Sequence, residues 1–433
     1  MTFRKGKVLF IRSFAALLVV AALLLLLERN ELLPVFTRLG GATATLPLPA
    51  SKIGREQQTP RRSEKEIRRL ADRWYEELLA KHPEMAVAYK DVPDAENGFL
   101  KLLDFADRYG PGGGRGLDLP DDIRKMIGSG EGWNGTRFAE WLRGNRALVD
   151  EITAIGLLPQ QSIKGIDPSR FVSFSARVHM DCSQILHSEA RLLLEQGDEE
   201  SALRSMRAAM GLTTHLDEIE TPFLFSESVS ILLRLGTWKF ANDTLLSGDH
   251  APADLRAWRE TLAVGPSGPE ELADLFRGEW HVTVKSILLP QLLGGKTEFN
   301  GEELRHPDPD ALVEAHLAYY QHMSADMRTS DLAGLAGISA APPPADQLSP
   351  ESKELMALLF NGTSAWSKGW IRAQCAGALA EAAFAAGMGE EILVEPVSGK
   401  PFVFDHNAGT IAMPDAPMLN GFDIKPMKIP GRR

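Results

Sequence analysis

The stretch ARLLLEQGDEESALRSMRAAM, from Ala190 to Met210, decides the fold class of this chain. Apolar residues recur at helical spacing on both sides of Gly197-Asp198. Glycine commonly ends a helix and aspartate commonly caps the start of the next one. The pattern therefore predicts two helices joined by a tight turn, the first over 169–196 and the second over 199–216.

Amphipathic patterns on both sides of this hairpin predict a mainly α fold. Ser63 and Glu66 match a capping box at the start of the first helix, and Pro83 ends that helix. Residues 329–349 hold three consecutive prolines and are predicted to form an exposed linker. Further helices are predicted over 94–108, 136–155, 222–246, 253–263, 269–293, 309–327 and 350–386. We expect an array of antiparallel helical hairpins, an irregular bundle that is partly tetratricopeptide-like, although no repeat period supports a regular solenoid.

The C-terminal part of the chain has a different pattern. Between Pro401 and Met413, two short apolar runs flank Asp405-His406-Asn407-Ala408-Gly409, which predicts a small β-hairpin. Four prolines follow before Arg433, so the tail is predicted to be irregular.

The N-terminal segment predicts a membrane anchor. Basic residues precede an apolar run from Val8 to Leu27, and only Arg12 and Ser13 interrupt that run. About 20 helical residues reach across the hydrocarbon core of a bilayer. Basic flanking residues favour a cytoplasmic N-terminus and place the body in the periplasm or elsewhere outside the cytoplasm. The alternative is a cleaved signal peptide, for which the sequence after the run offers a poor cleavage site.

These patterns divide the chain into four parts. Residues 1–27 form the anchor and residues 28–62 a linker rich in small residues and proline. Residues 63–387 form the α-helical body, and residues 388–433 form the β-hairpin segment and tail. The formal net charge of -11 argues against nucleic acid as a partner. We expect the membrane, through residues 8–27, and an envelope protein to be the partners, and no cofactor.

Three residues on the first hairpin helix are candidates for chemistry. His179, Cys182 and His187 lie roughly on one helical face, where imidazole and thiolate groups are able to bind zinc, or a histidine is able to activate the thiol. The alternative is a buried cysteine with partly exposed histidines. Cys182 and Cys375 are the two cysteines of the chain, and they form either one disulfide or two separate buried thiols.

The terminal segment EPVSGKPFVF and the hairpin LLLEQGDEESALRSMRAAM give the chain a family resemblance. It resembles uncharacterised membrane-anchored helical proteins of planctomycete and verrucomicrobial type, which end in a DP-[FW]-[ST]-G-K-P-like segment followed by a hairpin. Glu395 and Val397 depart from that pattern. The residues that match it are Pro396, Ser398, Gly399, Lys400, Pro401 and Phe402. The resemblance implies an anchored helical protein and no particular activity.

The sequence leaves two classes of function open. Helical hairpins without a catalytic motif favour a binding or scaffold module of the cell envelope, rather than an enzyme. The alternative is an envelope hydrolase whose active-site residues are dispersed over several helices. A long apolar groove would favour the scaffold, whereas a polar pocket with clustered His, Asp or Glu residues would favour the hydrolase.

Overall fold

A computed structural model describes most of the chain beyond the predicted linker. The described residues are 63–110, 116–167, 170, 175–247, 252–263, 269–294, 297–299, 302–304, 309–330, 332–337, 363–419, 422 and 424–430. The predicted anchor, linker 28–62 and part of the predicted linker 329–349 lie outside these residues. No helix of the described part is both long and apolar enough to cross a bilayer.

The described chain is mainly helical. Its first half holds α1 Glu64–Lys81, α2 Gly98–Tyr109, α3 Asp121–Ser129, α4 Gly135–Gly144, α5 Arg146–Gly156, α6 Ala176–Glu195 and α7 Glu199–Asp217. Its second half holds α8 Leu224–Phe240, α9 Leu255–Leu262, α10 Pro269–Thr283, α11 Leu289–Gly294, α12 Pro309–Thr329, α13 Leu332–Gly337 and α14 Thr363–Met388. Two π-helical segments, Ala241–Leu245 and Val284–Leu288, continue α8 and α10.

The predicted hairpin is confirmed, because α6 and α7 pack against each other across a tight turn. The left-handed φ of Gly197, +78°, is one that glycine adopts without steric cost. Asp198 then caps α7 by accepting a hydrogen bond from the Ser201 backbone N–H at 3.1 Å. The side chain of Ser63 likewise caps α1 by accepting from the Glu66 backbone N–H at 3.2 Å. Local capping by Asp198 and Ser63 thus sets where α7 and α1 begin.

Two predicted segments were wrong. The single helix predicted over 136–155 is two helices, because α4 ends at Gly144 and α5 begins at Arg146, with Asn145 between them in a non-helical conformation. The predicted linker 329–349 includes α13, whose Leu335 is buried against the core. Tertiary packing therefore orders a segment whose proline and glycine content favours a loop.

The C-terminal sheet has one strand more than predicted. Strands β3 Val403–Asp405 and β4 Thr410–Ala412 form the predicted antiparallel hairpin. The tail, predicted to be irregular, adds β5 Met427–Lys428 beside β4, where Ile411 pairs with Met427. Both of these residues are buried, so apolar contact with the helices fixes the third strand. A second small hairpin, β1 Thr297–Phe299 with β2 Glu302–Leu304, lies between α11 and α12.

Helices α5 and α7 cross at close range through two glycines. A Cβ atom added to Gly211 would lie 1.7 Å from the carbonyl oxygen of Gly156. A Cβ atom on Gly156 would lie 2.1 Å from the carbonyl oxygen of Ala208. Because the obstacles are backbone atoms, no side-chain rotation relieves the clash. This crossing fixes the position of α7, which carries one wall of the site described below.

We expect Gly211→Ala to lower the free energy of unfolding by roughly 1–3 kcal/mol, because the two backbones must separate. Urea unfolding followed by circular dichroism measures the change. Gly144→Ala is the matched control, since a Cβ atom there meets nothing within 4 Å. The control variant should be unchanged or slightly more stable. Equal stability of Gly211→Ala and the native protein would contradict the close crossing.

Candidate active site

A cavity of about 360 Å³ lies where the C-terminal end of α7 meets α8, α10 and α14. The loop 218–222, which joins α7 to α8, forms part of its wall. We call it the acidic pocket. Its lining residues are Met210, Thr213, Thr214, Asp217, Glu218, Ile219, Glu220, Pro222, Glu227, Arg234, Ala263, Glu271, Leu272, Asp274, Leu275 and Trp370.

A buried ion pair lies in the wall of the acidic pocket. Asp217, the last residue of α7, forms a salt bridge with Arg234 of α8 through Oδ2 and Nη2. The exposed fractions of the two side chains are 13% and 7%. Removing two charges from water is costly, and their mutual attraction offsets that cost only while both partners are present. The pair therefore makes a rigid, charged element of the wall.

Glu227 adds a second carboxyl group beside Asp217. Glu227 is buried near the start of α8, in the same pocket wall. Burial, and next the neighbouring carboxylate of Asp217, raise the pKa of Glu227 to about 8, against the opposing effect of Arg234. Burial thus favours the protonated form of Glu227 at neutral pH, and its neighbour Asp217 is paired with the Arg234 guanidinium. Two adjacent carboxyl groups, one buried with a raised pKa and the other paired with an arginine, are an arrangement found in acid–base catalysis.

The remaining wall combines acidic and apolar groups. Glu218 accepts a hydrogen bond from Gln161 Nε2 at 3.1 Å, and Asp274 pairs with Arg277 on the same helix at 3.2 Å. Glu220 is bound to the Ser162 hydroxyl at 2.6 Å and so ties the 218–222 loop to the neighbouring segment. The apolar part of the wall is formed by Met210, Leu272, Leu275 and Trp370. The pocket is therefore a shaped, partly apolar site with convergent polar groups, as small-molecule sites generally are.

Sequence reasoning missed this site. Paired carboxyl groups converge in space: Asp217 ends α7, whereas Glu227 lies near the start of α8 and Arg234 further along it. One signal was present: Glu227 and Arg234 lie seven residues apart on α8, hence on the same face. Ser230 and Ile231, which lie between them on that face, are both buried. Two charged residues on a buried helical face need partners, which here are found only across the fold.

The three sequence candidates on α6 do not form a site. His179 Nδ1 lies 2.7 Å from the Ser175 carbonyl oxygen, and His187 Nε2 lies 3.1 Å from Thr237 Oγ1. Both imidazoles are buried, which contradicts the expected partial exposure, and burial lowers the pKa of each to about 4. In the described part of the chain, no group of three or more His, Cys, Asp or Glu side chains is placed to hold a metal ion.

The cysteines are two separate buried thiols, so the disulfide alternative is wrong. Cys182 lies in a core cluster built on α2 to α8, and Cys375 lies in another cluster with α1, α10 and α12. Burial raises the pKa of the Cys182 thiol well above its ordinary value. Because the thiolate is the nucleophilic form, this environment opposes a catalytic role for Cys182.

The family-like terminal motif forms a turn organised by a buried glutamate. Glu395 is fully buried, and its carboxylate accepts hydrogen bonds from the backbone N–H groups of Val397 at 2.7 Å and Ser398 at 2.6 Å. Gly399 has a φ of +65°, which closes the turn. Phe402 is buried, whereas Lys400 reaches the carbonyl oxygen of Asp415 with its Nζ. Pro396 and Pro401 are exposed. The turn thus docks the terminal sheet on the helices.

No relative of this chain was found among known proteins. No protein-family model, no curated protein and no solved structure matches the chain.

Proposed function

We propose that this protein is a hydrolase of the cell envelope and that the acidic pocket is its active site. The observation that supports the proposal is the buried Glu227, whose pKa is raised, beside the arginine-paired Asp217 in the wall of a cavity. Asp217, Glu227 and Arg234 come from α7 and α8, while Glu271 and Trp370 come from α10 and α14. This is the dispersed arrangement expected of the hydrolase alternative.

The two carboxyl groups would divide acid and base roles in the attack of water on a carbonyl carbon. Asp217 accepts a proton from the attacking water as the new carbon–oxygen bond forms. Glu227 gives its proton to the departing nitrogen or oxygen as the old bond breaks. The pair begins with one proton and ends with one proton, on the opposite carboxyl group, and bulk water resets it. General acid–base catalysis of this kind contributes about 10²–10⁴-fold to a rate.

The scaffold role remains the second candidate, and the wall of the acidic pocket argues against it. A groove for a partner helix would present a long apolar stripe. The acidic pocket instead lines a cavity large enough for a small ligand with several carboxyl groups. The hairpin of α6 and α7, though it resembles one tetratricopeptide-type unit, contributes four residues of α7 to the pocket wall: Met210, Thr213, Thr214 and Asp217.

The proposed location rests on the N-terminal sequence. The apolar run 8–27 would anchor the chain, and the linker 28–62 would hold the body away from the bilayer on the far side of the cytoplasmic membrane. We expect the full-length protein to stay in the membrane pellet after carbonate extraction. Protease added to intact spheroplasts should digest the body. Recovery of the intact chain in the soluble cytoplasmic fraction would contradict both the anchor and the envelope assignment.

Glu227→Gln should abolish hydrolysis without loss of the fold. Glutamine matches the shape of the protonated glutamate but has no acidic proton to give, so we expect at least about a 100-fold lower kcat. The assay uses the full-length protein in detergent with 4-nitrophenyl esters and 4-nitroanilides of amino acids. Activity of the native protein should fall as pH rises through about 8, where Glu227 loses its proton.

Stability gives an independent measure of the same group. The folded-state pKa of Glu227 is raised above that of the unfolded chain, so its deprotonation destabilises the folded state as pH rises towards about 8. Glu227→Gln should therefore be more stable than the native protein above that pH. Glu189→Gln is the matched control, because Glu189 is also buried but pairs with Arg146 away from the pocket.

Equal activity of Glu227→Gln and the native protein would refute the proposed acid.

A further inference from the structure

The acidic pocket carries more negative charge than the proposed acid–base pair requires. Glu218, Glu271 and Asp274 line it in addition to Asp217 and Glu227. Arg234 is the one cationic side chain among the described lining residues and pairs with Asp217, while Arg277, outside that lining, pairs with Asp274. The carboxyl groups still outnumber the cationic groups at the pocket. A cleft with low-dielectric walls and charge of one sign concentrates ligands of the opposite sign. The charge of this wall therefore favours a cationic group on the ligand.

The buried arginine supplies a second and independent feature. Arg234 is more than nine-tenths buried in the pocket wall, and its Nε has no hydrogen-bond partner among the described residues. A buried donor without a partner indicates an acceptor that the protein itself does not provide, such as an oxygen of water or of a ligand. A ligand that carries an acceptor oxygen close to its cationic group would satisfy the guanidinium and the acidic wall together.

The apolar part of the wall gives the third feature. Met210, Leu272, Leu275 and Trp370 line the same cavity. Burying a leucine-sized side chain against such a surface removes it from water, which favours binding. The ligand should therefore carry a short apolar side chain besides its charged and acceptor groups.

We infer that the acidic pocket binds the free N-terminal aminoacyl group of a peptide or of another aminoacyl amide. Its ammonium faces Glu271 and Asp274, its carbonyl oxygen faces Arg234, and its apolar side chain lies against Leu272 and Trp370. The assignment of this group as a substrate, and not only as a ligand, rests on the proposed hydrolysis. An aminoacyl group carries its ammonium two bonds from its carbonyl carbon, and the acidic residues line the same pocket as the Asp217–Glu227 pair.

Two small amides test this inference without requiring turnover. L-leucinamide and 4-methylpentanamide share the carbonyl and the apolar chain, and only the first carries an ammonium group. Binding of each to full-length Glu227→Gln protein in detergent is measured by titration calorimetry near neutral pH. We expect L-leucinamide to bind at least about tenfold more tightly, a difference of about 1.4 kcal/mol. Salt should weaken the binding of L-leucinamide but not that of the neutral amide.

Surface carboxylates provide the matched variants. When Glu271→Gln and Asp274→Asn are introduced together into the Glu227→Gln protein, most of the preference for the cationic amide should be lost. Adding Glu270→Gln should leave it intact, because Glu270 lies on the same helix but pairs with Arg328 outside the pocket. Equal binding of both amides, or binding of neither, overturns the inference. Tight binding of L-leucinamide without any hydrolysis by the native protein would instead refute the proposed function and leave the binding site standing.

Discussion

Acidification from about pH 7 to pH 4 should unfold this protein cooperatively, because several histidines are buried in the neutral form. His179, His187 and His281 are buried, and burial lowers the pKa of each from 6.5 to about 4. His316 is fully buried as well, and its pKa is lowered to about 3. Each such lowering corresponds to roughly 3 kcal/mol. Together they reach the total stability of an ordinary domain, about 5–15 kcal/mol.

The direction in which stability changes with pH follows from proton binding. Below about pH 6.5 the unfolded chain binds protons on these histidines, whereas the folded protein binds them only near pH 4, so stability falls as pH falls through this window. Glu227 acts in the opposite sense, since its raised pKa favours the folded state at lower pH. One such group does not offset four histidines. The free energy of unfolding, measured in urea at several pH values, should therefore decrease steeply between pH 6.5 and 4.

His187→Gln provides the specific version of this measurement. Glutamine keeps a side-chain hydrogen bond to Thr237 within reach but has no titrating group. The pH dependence of its unfolding should be shallower than that of the native protein by about one proton. His322→Gln is the matched control for replacing a histidine outside the core, because His322 is 67% exposed beside Asp326. Identical slopes for His187→Gln and the native protein would show that His187 is not buried in the neutral form.

Arg234→Met should destabilise the protein by about 3–5 kcal/mol, because it leaves the carboxylate of Asp217 buried without its counter-ion. Methionine fills a similar volume, so the loss reports the charge and not a cavity. Chemical unfolding at neutral pH measures the effect. Arg137→Met is the control: it breaks a pair with Asp122 whose two side chains are 43% and 45% exposed, and it should change stability little.

A second substitution separates the charge effect from simple packing. In an Asp217→Asn background, Arg234→Met should lower the free energy of unfolding much less, because no unpaired carboxylate remains at residue 217. If Arg234→Met costs the same in both backgrounds, the buried ion pair does not determine the stability of the pocket wall. The same result would weaken the assignment of Asp217 as the base in the proposed reaction.

The main features of the helical body could be predicted from short-range patterns. Ser63, Gly197 and Asp198 set helix boundaries through contacts with residues at most a few positions away. Their effect can therefore be predicted from the sequence. The hairpin of α6 and α7 and the strand pair β3 and β4 depend on the same local chemistry. Apolar periodicity also predicts which face of each helix is buried, because the apolar side chains along one face pack against the core.

The acidic pocket was decided only by the tertiary structure. The pairing of Asp217 with Arg234 spans the 218–222 loop, and Glu271 and Trp370 join it from helices much further along the chain. The strand β5 and the helix α13 likewise exist because distant apolar residues cover them, against the local preference of their prolines and glycines. Sequence periodicity specifies which face of a helix is buried, whereas the partners of a buried charge depend on how those faces meet.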